Sequence, residues 1–213
     1  MKSTLLALLS LMTTLLATSA TADVNSEINQ LQQRWAEVNY ELRDKAQINA
    51  FADLAEDADA VIKTYPDSAA AWIWSGIIKS TYAGAKGGLG ALGLAKASKH
   101  DLETAMTIDS DALNGSAYAS LGTLYYSVPG WPVGFGDDEK AEELLKHALA
   151  ISPATIDNNY FYASYLIYQK RYDEAMKHLE LALNAAPRPG RALADSGRQQ
   201  EIKLAIEQVK TKL

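Results

Sequence analysis

The sequence predicts an all-α fold, an α-solenoid of antiparallel helix pairs with capping helices at its N- and C-terminal ends. Two observations carry this prediction. Segments with apolar residues at helical spacing recur along the chain and end in a helix stop, and each is preceded by a second helical signature built around a small residue. A third observation agrees with them. The chain has no cysteine, so no disulfide framework braces it and its stability has to come from packed helices. At 213 residues, 48% hydrophobic and 22% charged, it has the composition of a globular protein long enough to bury a core.

The first element, residues 1–22, reads as a secretory signal peptide. Lys2 is followed by an apolar run from Leu5 to Ala17 and by small residues ending in Ala20-Thr21-Ala22, the order of charge, apolar stretch and cleavage site that export signals share. The run falls short of the roughly 20 residues that span a bilayer. The expectation is a soluble periplasmic protein with no membrane insertion after cleavage. Cleavage would remove a single positive charge from a chain whose net charge is −6. An acidic surface of this kind excludes nucleic acid as a partner, because phosphate neutralisation needs basic side chains.

An N-terminal helical pair follows over 23–66. Ile28, Leu31, Trp35, Val38 and Leu42 alternate at three and four residues and form one apolar stripe, which pairs with a helix from about Ala46 to Thr64. Three repeats occupy 67–190. Their second helices show one spacing: Ala141, Leu145, Ala148, Pro153, and again Ala175, Leu179, Ala182, Pro187. Ser98, Leu102, Ala105 and Ser110 repeat the pattern, and Leu54, Ala58, Val61 and Pro66 carry it into the N-terminal pair. Proline ends each helix it follows, because it lacks a donor and clashes with the preceding turn. The first helices read Trp72-x2-Ser75-Gly76, Tyr118-x2-Leu121-Gly122-x2-Tyr125 and Asn159-x2-Tyr162-Ala163-x2-Leu166. Residues 191–213 form a C-terminal capping helix with Ile202, Ile206, Val209 and Leu213 on one face.

These motifs resemble the tetratricopeptide repeat (TPR) family, whose pattern is aromatic-x2-Leu-Gly-x2-Tyr, then Ala-x3-Phe-x2-Ala, then Pro. Tyr118 to Pro153 matches nearly throughout, with Leu145 in place of Phe. The third repeat has Asn159 in place of the leading aromatic, and the first has Ser75 and Lys79 where Leu and Tyr are usual. The resemblance implies a stack of helix pairs with an inner groove and says almost nothing about function.

The repeats differ most between their two helices. From small residue to small residue the third spans 12 positions, the second 19 and the first 22. The extra residues, "VPGWPVGFGDD" and "GAKGGLGALG", read as long loops within the first two pairs, and equivalent turns of stacked repeats lie side by side. Asp137 is placed to cap the following helix. Trp131 and Phe135 either fold back on the solenoid or line a pocket between the two loops. Tyr126, Tyr160 and Tyr168 are expected to face the inner groove. These five aromatic residues are the candidate binding site.

Catalytic and cofactor motifs lack their context. Gly88-x-Gly90-x-x-Gly93 follows a helix and not a strand, which removes the dinucleotide reading. His100, His147 and His178 lack metal-ligand spacing and read as solvated. Arg188, Arg191 and Arg198 sit in and after "PRPGR", either as a solvated linker or as the seat of an anionic group. No cofactor, metal or enzymatic activity is expected. Two functions follow: a non-catalytic scaffold for a protein or peptide partner in the bacterial cell envelope, or a binder of an apolar small molecule. In outline the chain is also similar to the TRAP transporter T component family, a resemblance that implies the second function beside a transporter.

Overall fold

The computed structural model describes residues 24–213; the leader reading falls on residues outside that range. Nine helices lie within it: α1 (24–41), α2 (Asp44–Thr64), α3 (Ala69–Lys86), α4 (Gly88–Ile108), α5 (Ala112–Ser127), α6 (Asp138–Ile151), α7 (Ile156–Tyr168), α8 (Tyr172–Leu183) and α9 (Ala192–Lys210). The pairs α3/α4, α5/α6 and α7/α8 are the three repeats, α1/α2 is the N-terminal pair, and α9 follows alone.

The repeat signature is a packing rule. A Cβ on Gly122 would lie 2.8 Å from Leu145 Cγ, so the residue standing where the family has Phe fills the niche that glycine leaves. Leu102 occupies the same niche over Gly76. Ala141, Leu145, Ala148, Ala175, Leu179 and Ala182 are all fully buried, as the shared spacing requires. Full burial of a leucine contributes roughly 1.5–3 kcal/mol. Helix starts are set by local chemistry: Ser68 accepts from Ala71 N, and Asp137 accepts from Lys140 N at 3.0 Å with Asp138 and Glu139 in the positive first turn.

Two departures from the pattern have structural replacements. Ser75 and Lys79 both bond Asp101, at 2.7 and 2.6 Å, inside the α3/α4 pair. Asn159, fully buried, donates to Pro153 O and Thr155 O at 2.7 and 3.0 Å and so holds the turn that an aromatic would otherwise fill.

The glycine-rich run is not a loop. The ten extra residues of the first repeat lengthen both of its helices, and Gly87, with φ of +59°, is the only residue between them. The Ala, Leu and Lys residues interspersed in "GLGALGLAKA" are strong helix formers, and two successive positive-φ glycines, Gly87 and Gly88 (φ +61°), make the reversal. The second insertion, Val128 to Asp137, is a true loop. It is tied to itself by Gly136 N to Pro129 O (3.0 Å) and to α5 by Asp137 N to Tyr125 O (2.9 Å).

Candidate functional site

The first helices of successive pairs, α3, α5, α7 and then α9, pack against one another in order along the inner face. Helix α1 joins α3 through Trp35, whose ring meets Trp74 edge-on at 5.9 Å and whose Nε1 donates to Thr81 Oγ1 at 3.1 Å. Helix α9 then turns back onto α1. Gly197 sits so close to the Tyr40 ring that a Cβ there would lie 2.3 Å from it, and the Arg191 guanidinium lies 4.9 Å from the Trp74 ring centroid. The terminal helices expected to cap the two ends of an open stack instead pack on each other. The four first helices and α9 therefore form a ring, and the concave face of the solenoid becomes the wall of a chamber of about 880 Å³.

The chamber has two unlike ends. At one, Val128, Pro129 and Val133 of the loop line the wall with Leu92 of α4; Leu92 Cδ1 is 3.4 Å from where a side chain on Gly134 would begin. The two insertions are neighbours, as the repeat geometry predicts, although one is loop and the other helix. At the opposite end stand Asp157, Asn158, Arg188, Arg191, Arg198 and Glu201. Asn158 fixes this end by donating to Ala148 O (2.9 Å), Ser152 O (3.1 Å) and Asn114 O (3.2 Å). From Ser116 to Val128 along α5 the rise is about 18 Å, which separates the charged end from the apolar one.

The charged end is an ordered network and not a solvated linker. Asp157 lies between Arg198 Nε, at 2.9 Å, and Arg188. Arg188 Nε also donates to Asp195 (2.6 Å), and Arg198 Nη1 to Glu201 (2.5 Å). The buried Arg198 guanidinium stacks on Tyr160 and Phe161 at 4.5 and 4.8 Å. Burial alone would raise the Asp157 pKa, but Arg198 and Arg188 together hold it below the ordinary carboxylate range. Burial pushes the Tyr40 hydroxyl above this network up to about 12.

The five aromatic candidates are dispersed. Tyr126 and Tyr168 come together, rings 5.5 Å apart, with Tyr165 at 5.7 Å from Tyr126. Burial raises the Tyr126 pKa to about 12. Phe135 folds back edge-on against Tyr125 at 5.5 Å. Trp131 neither folds back nor meets a pocket; it stands 90% exposed at the loop tip. Tyr160 backs the arginine network. The chamber wall takes Phe161 and Val133, the neighbour of Tyr160 and a loop residue two beyond Trp131, together with Trp35, Trp74 and the arginines.

His100 and His147 are exposed, as expected, whereas His178 is half-buried. Each ring lies against the aromatic of its own pair: His100 on Trp72 (6.2 Å), His147 on Tyr118 (4.2 Å) and His178 on Tyr162 (4.8 Å). His178 Nδ1 also meets Asn159 Oδ1 at 3.0 Å, and burial lowers its pKa. Among the described residues no group of three His, Cys, Asp or Glu is arranged to hold a metal ion, and no helix is long and apolar enough to cross a membrane.

No protein-family model and no curated protein matches the chain. Solved structures do. TTC0263, a thermophilic TPR protein of Thermus thermophilus, superposes with a TM-score of 0.55 over 75% of this chain and 74% of its own, at 19% identity. This is a tetratricopeptide-repeat fold. Two crystal structures of MamA are also similar, at TM-scores of 0.45 and 0.44 and identities of 16% and 15%, covering 79% and 86% of this chain and 91% and 92% of theirs. Within the tetratricopeptide fold, the chamber is the place where the chain gathers its charged and apolar side chains around an open space.

Proposed function

We propose that this protein is a non-catalytic binding scaffold of the bacterial cell envelope, exported by its leader, and that the chamber is where it holds its ligand. Closure of the ring carries this reading. Tetratricopeptide solenoids bind through an extended concave surface, whereas here α9 on α1 turns that surface inward around about 880 Å³. A space of that size suits a small molecule, in the range of typical ligand pockets, and it is too small for a folded domain. The largely apolar wall with a few convergent polar groups is the usual composition of such a site.

A second reading, docking of a protein partner, is supported by Trp131 and Val133. They are 90% and 63% exposed on a loop stiffened by two prolines, and an exposed tryptophan on a rigid support is the kind of residue that anchors protein interfaces. Native mass spectrometry of the protein purified from its own envelope separates the two. A small-molecule mass retained by the folded chain supports the chamber reading. A bare chain that crosslinks stoichiometrically to one envelope protein through the Trp131 loop overturns it in favour of the second.

A further inference from the structure

The chamber reading leaves open which chemical group its charged end receives, and one residue there is unaccounted for. Three arginines face three carboxylates, but the pairing is uneven. Asp157 is shared by Arg188 and Arg198, Asp195 is bonded by Arg188, and Glu201 by Arg198. Arg191 receives none of them. Its guanidinium makes no ion pair or hydrogen bond among the described residues, and its Nε is buried without a partner. Its contact is the face of Trp74. Trp74 is itself only 4% exposed, lines the chamber, and has an indole N–H with no acceptor. Buried donors of both kinds are normally satisfied, so two touching residues that both line one cavity, each with an unsatisfied donor and one with a guanidinium that bonds nothing, mark a place short of an acceptor. Burial first, and then the nearby Arg188 charge, push the Arg191 pKa down against the opposing pull of Asp157, Asp195 and Tyr40; an anion bound beside it would offset the shift.

We propose that Arg191, seated on Trp74, is the anchor for the carboxylate of an amphipathic ligand whose apolar chain runs along the chamber toward Leu92, Val128 and Val133. The inference rests on the chamber reading and adds the ligand's chemical class. Hydrogen bonding sets the head group: the three acids at this end are already bonded by Arg188 and Arg198, which leaves the Arg191 guanidinium without an acceptor. Geometry sets the tail: the distance of about 18 Å from Ser116 to Val128 gives room for a medium-length acyl chain, and the far end is apolar. Guanidinium is suited to carboxylate because its donors match the two oxygens.

The test uses dodecanoate and its neutral counterpart dodecanol as probes, below their aggregation limits, titrated calorimetrically into the whole chain and into two variants. Arg191→Gln removes the anchor, and Thr123→Trp fills the chamber from the α5 wall. The expected result is that dodecanoate binds about tenfold or more tightly than dodecanol. Arg191→Gln should bring dodecanoate down to the dodecanol level, and Thr123→Trp should abolish both. Equal binding of the two probes to the unmodified chain, lost in Thr123→Trp and unchanged in Arg191→Gln, overturns the anchor while keeping the chamber as a site. Failure of both probes to bind, or binding that survives Thr123→Trp, overturns the anchor and the chamber reading together. The comparison of the two probes on the unmodified chain needs no variant, so poor folding of either substitution leaves the proposal decidable.

Discussion

Lys79 Nζ lies 2.6 Å from Asp101 Oδ2 across the α3/α4 pair, with side-chain exposures of 10% and 4%. Ser75 Oγ donates to the same oxygen, and Asp59 on α2 takes a second contact with the ammonium at 2.6 Å. Burial by itself would lower the Lys79 pKa, but its bonds to Asp101 and Asp59 raise it. The two positions at which the first repeat departs from the family pattern are thus one buried polar network joining three helices.

Breaking the network from one side leaves a charge without its buried partner. Asp101→Ala is expected to cost about 3 kcal/mol, the lower end for a broken buried pair, because Asp59 still reaches the ammonium. Replacing Ser75, Lys79 and Asp101 together by leucine, methionine and leucine should cost far less than that. Urea unfolding of the two variants checks the difference; equal losses would show that the network is not the source of the cost.

Gly197 gives a prediction whose sign is informative. In a helix interior Gly→Ala normally gains about 1 kcal/mol, but the added Cβ would meet the Tyr40 ring at 2.3–2.5 Å. Gly197→Ala is therefore expected to destabilise by about 1–3 kcal/mol through overpacking. In a Tyr40→Ala background the same change should stabilise. A double-mutant cycle by thermal or urea unfolding measures the coupling, and an absence of coupling would mean that α9 does not rest on α1.

Acid should loosen the second and third repeats through Glu142. Its carboxylate bonds Arg171 Nη1 (2.7 Å) and Lys146 (2.9 Å) and accepts from Tyr162 OH (3.2 Å), tying α6 to α7 and α8. Arg171 foremost, with help from Lys146 and against burial, lowers its pKa from 4.5 to about 2. A depressed carboxylate contributes stability that is present above pH 4.5 and is lost as pH falls toward about 2. Glu142→Gln should accordingly flatten the fall of stability over that window while lowering stability at pH 7. An unchanged acid limb in urea unfolding across this range would contradict the assignment.

Trp131 is expected to be silent in folding. At 90% exposure its truncation to alanine should change unfolding free energy by no more than about 0.5 kcal/mol. If a protein partner docks on the loop, the same substitution should abolish its capture. A cost of several kcal/mol would show that the ring packs on the solenoid.

Periodicity in the sequence located most of the helices, because small residues and apolar residues at fixed offsets leave little choice of face. Where it misled, tertiary contact decided. Glycines at 87, 88, 90 and 93 look like a loop until one sees that a single reversal at Gly87 and Gly88 lets the rest continue as α4. The arginines after Pro187 look like a polar linker because their partners, Asp157 and Glu201, are distant or unremarkable in sequence. Ring closure was invisible for a similar reason: it rests on Gly197 of α9 against Tyr40 of α1 and on Arg191 against Trp74 of α3, contacts across more than a hundred residues that no local pattern records. The aromatic content near the loop was legible, but much of it goes to packing between helices, and the chamber draws instead on Trp35, Trp74 and Phe161.

The central claim is that α9 closes on α1, and the absence of cysteine makes it directly measurable. Spin labels on Glu37→Cys and Gln200→Cys, read by pulsed electron paramagnetic resonance in the otherwise cysteine-free chain, report the separation of the two helices. Closure predicts a single narrow distance below about 25 Å, one helix-to-helix spacing plus the label arms. An open solenoid would place α1 and α9 four interaxial spacings apart, about 40 Å, and a broad distribution centred there would contradict closure and the chamber with it.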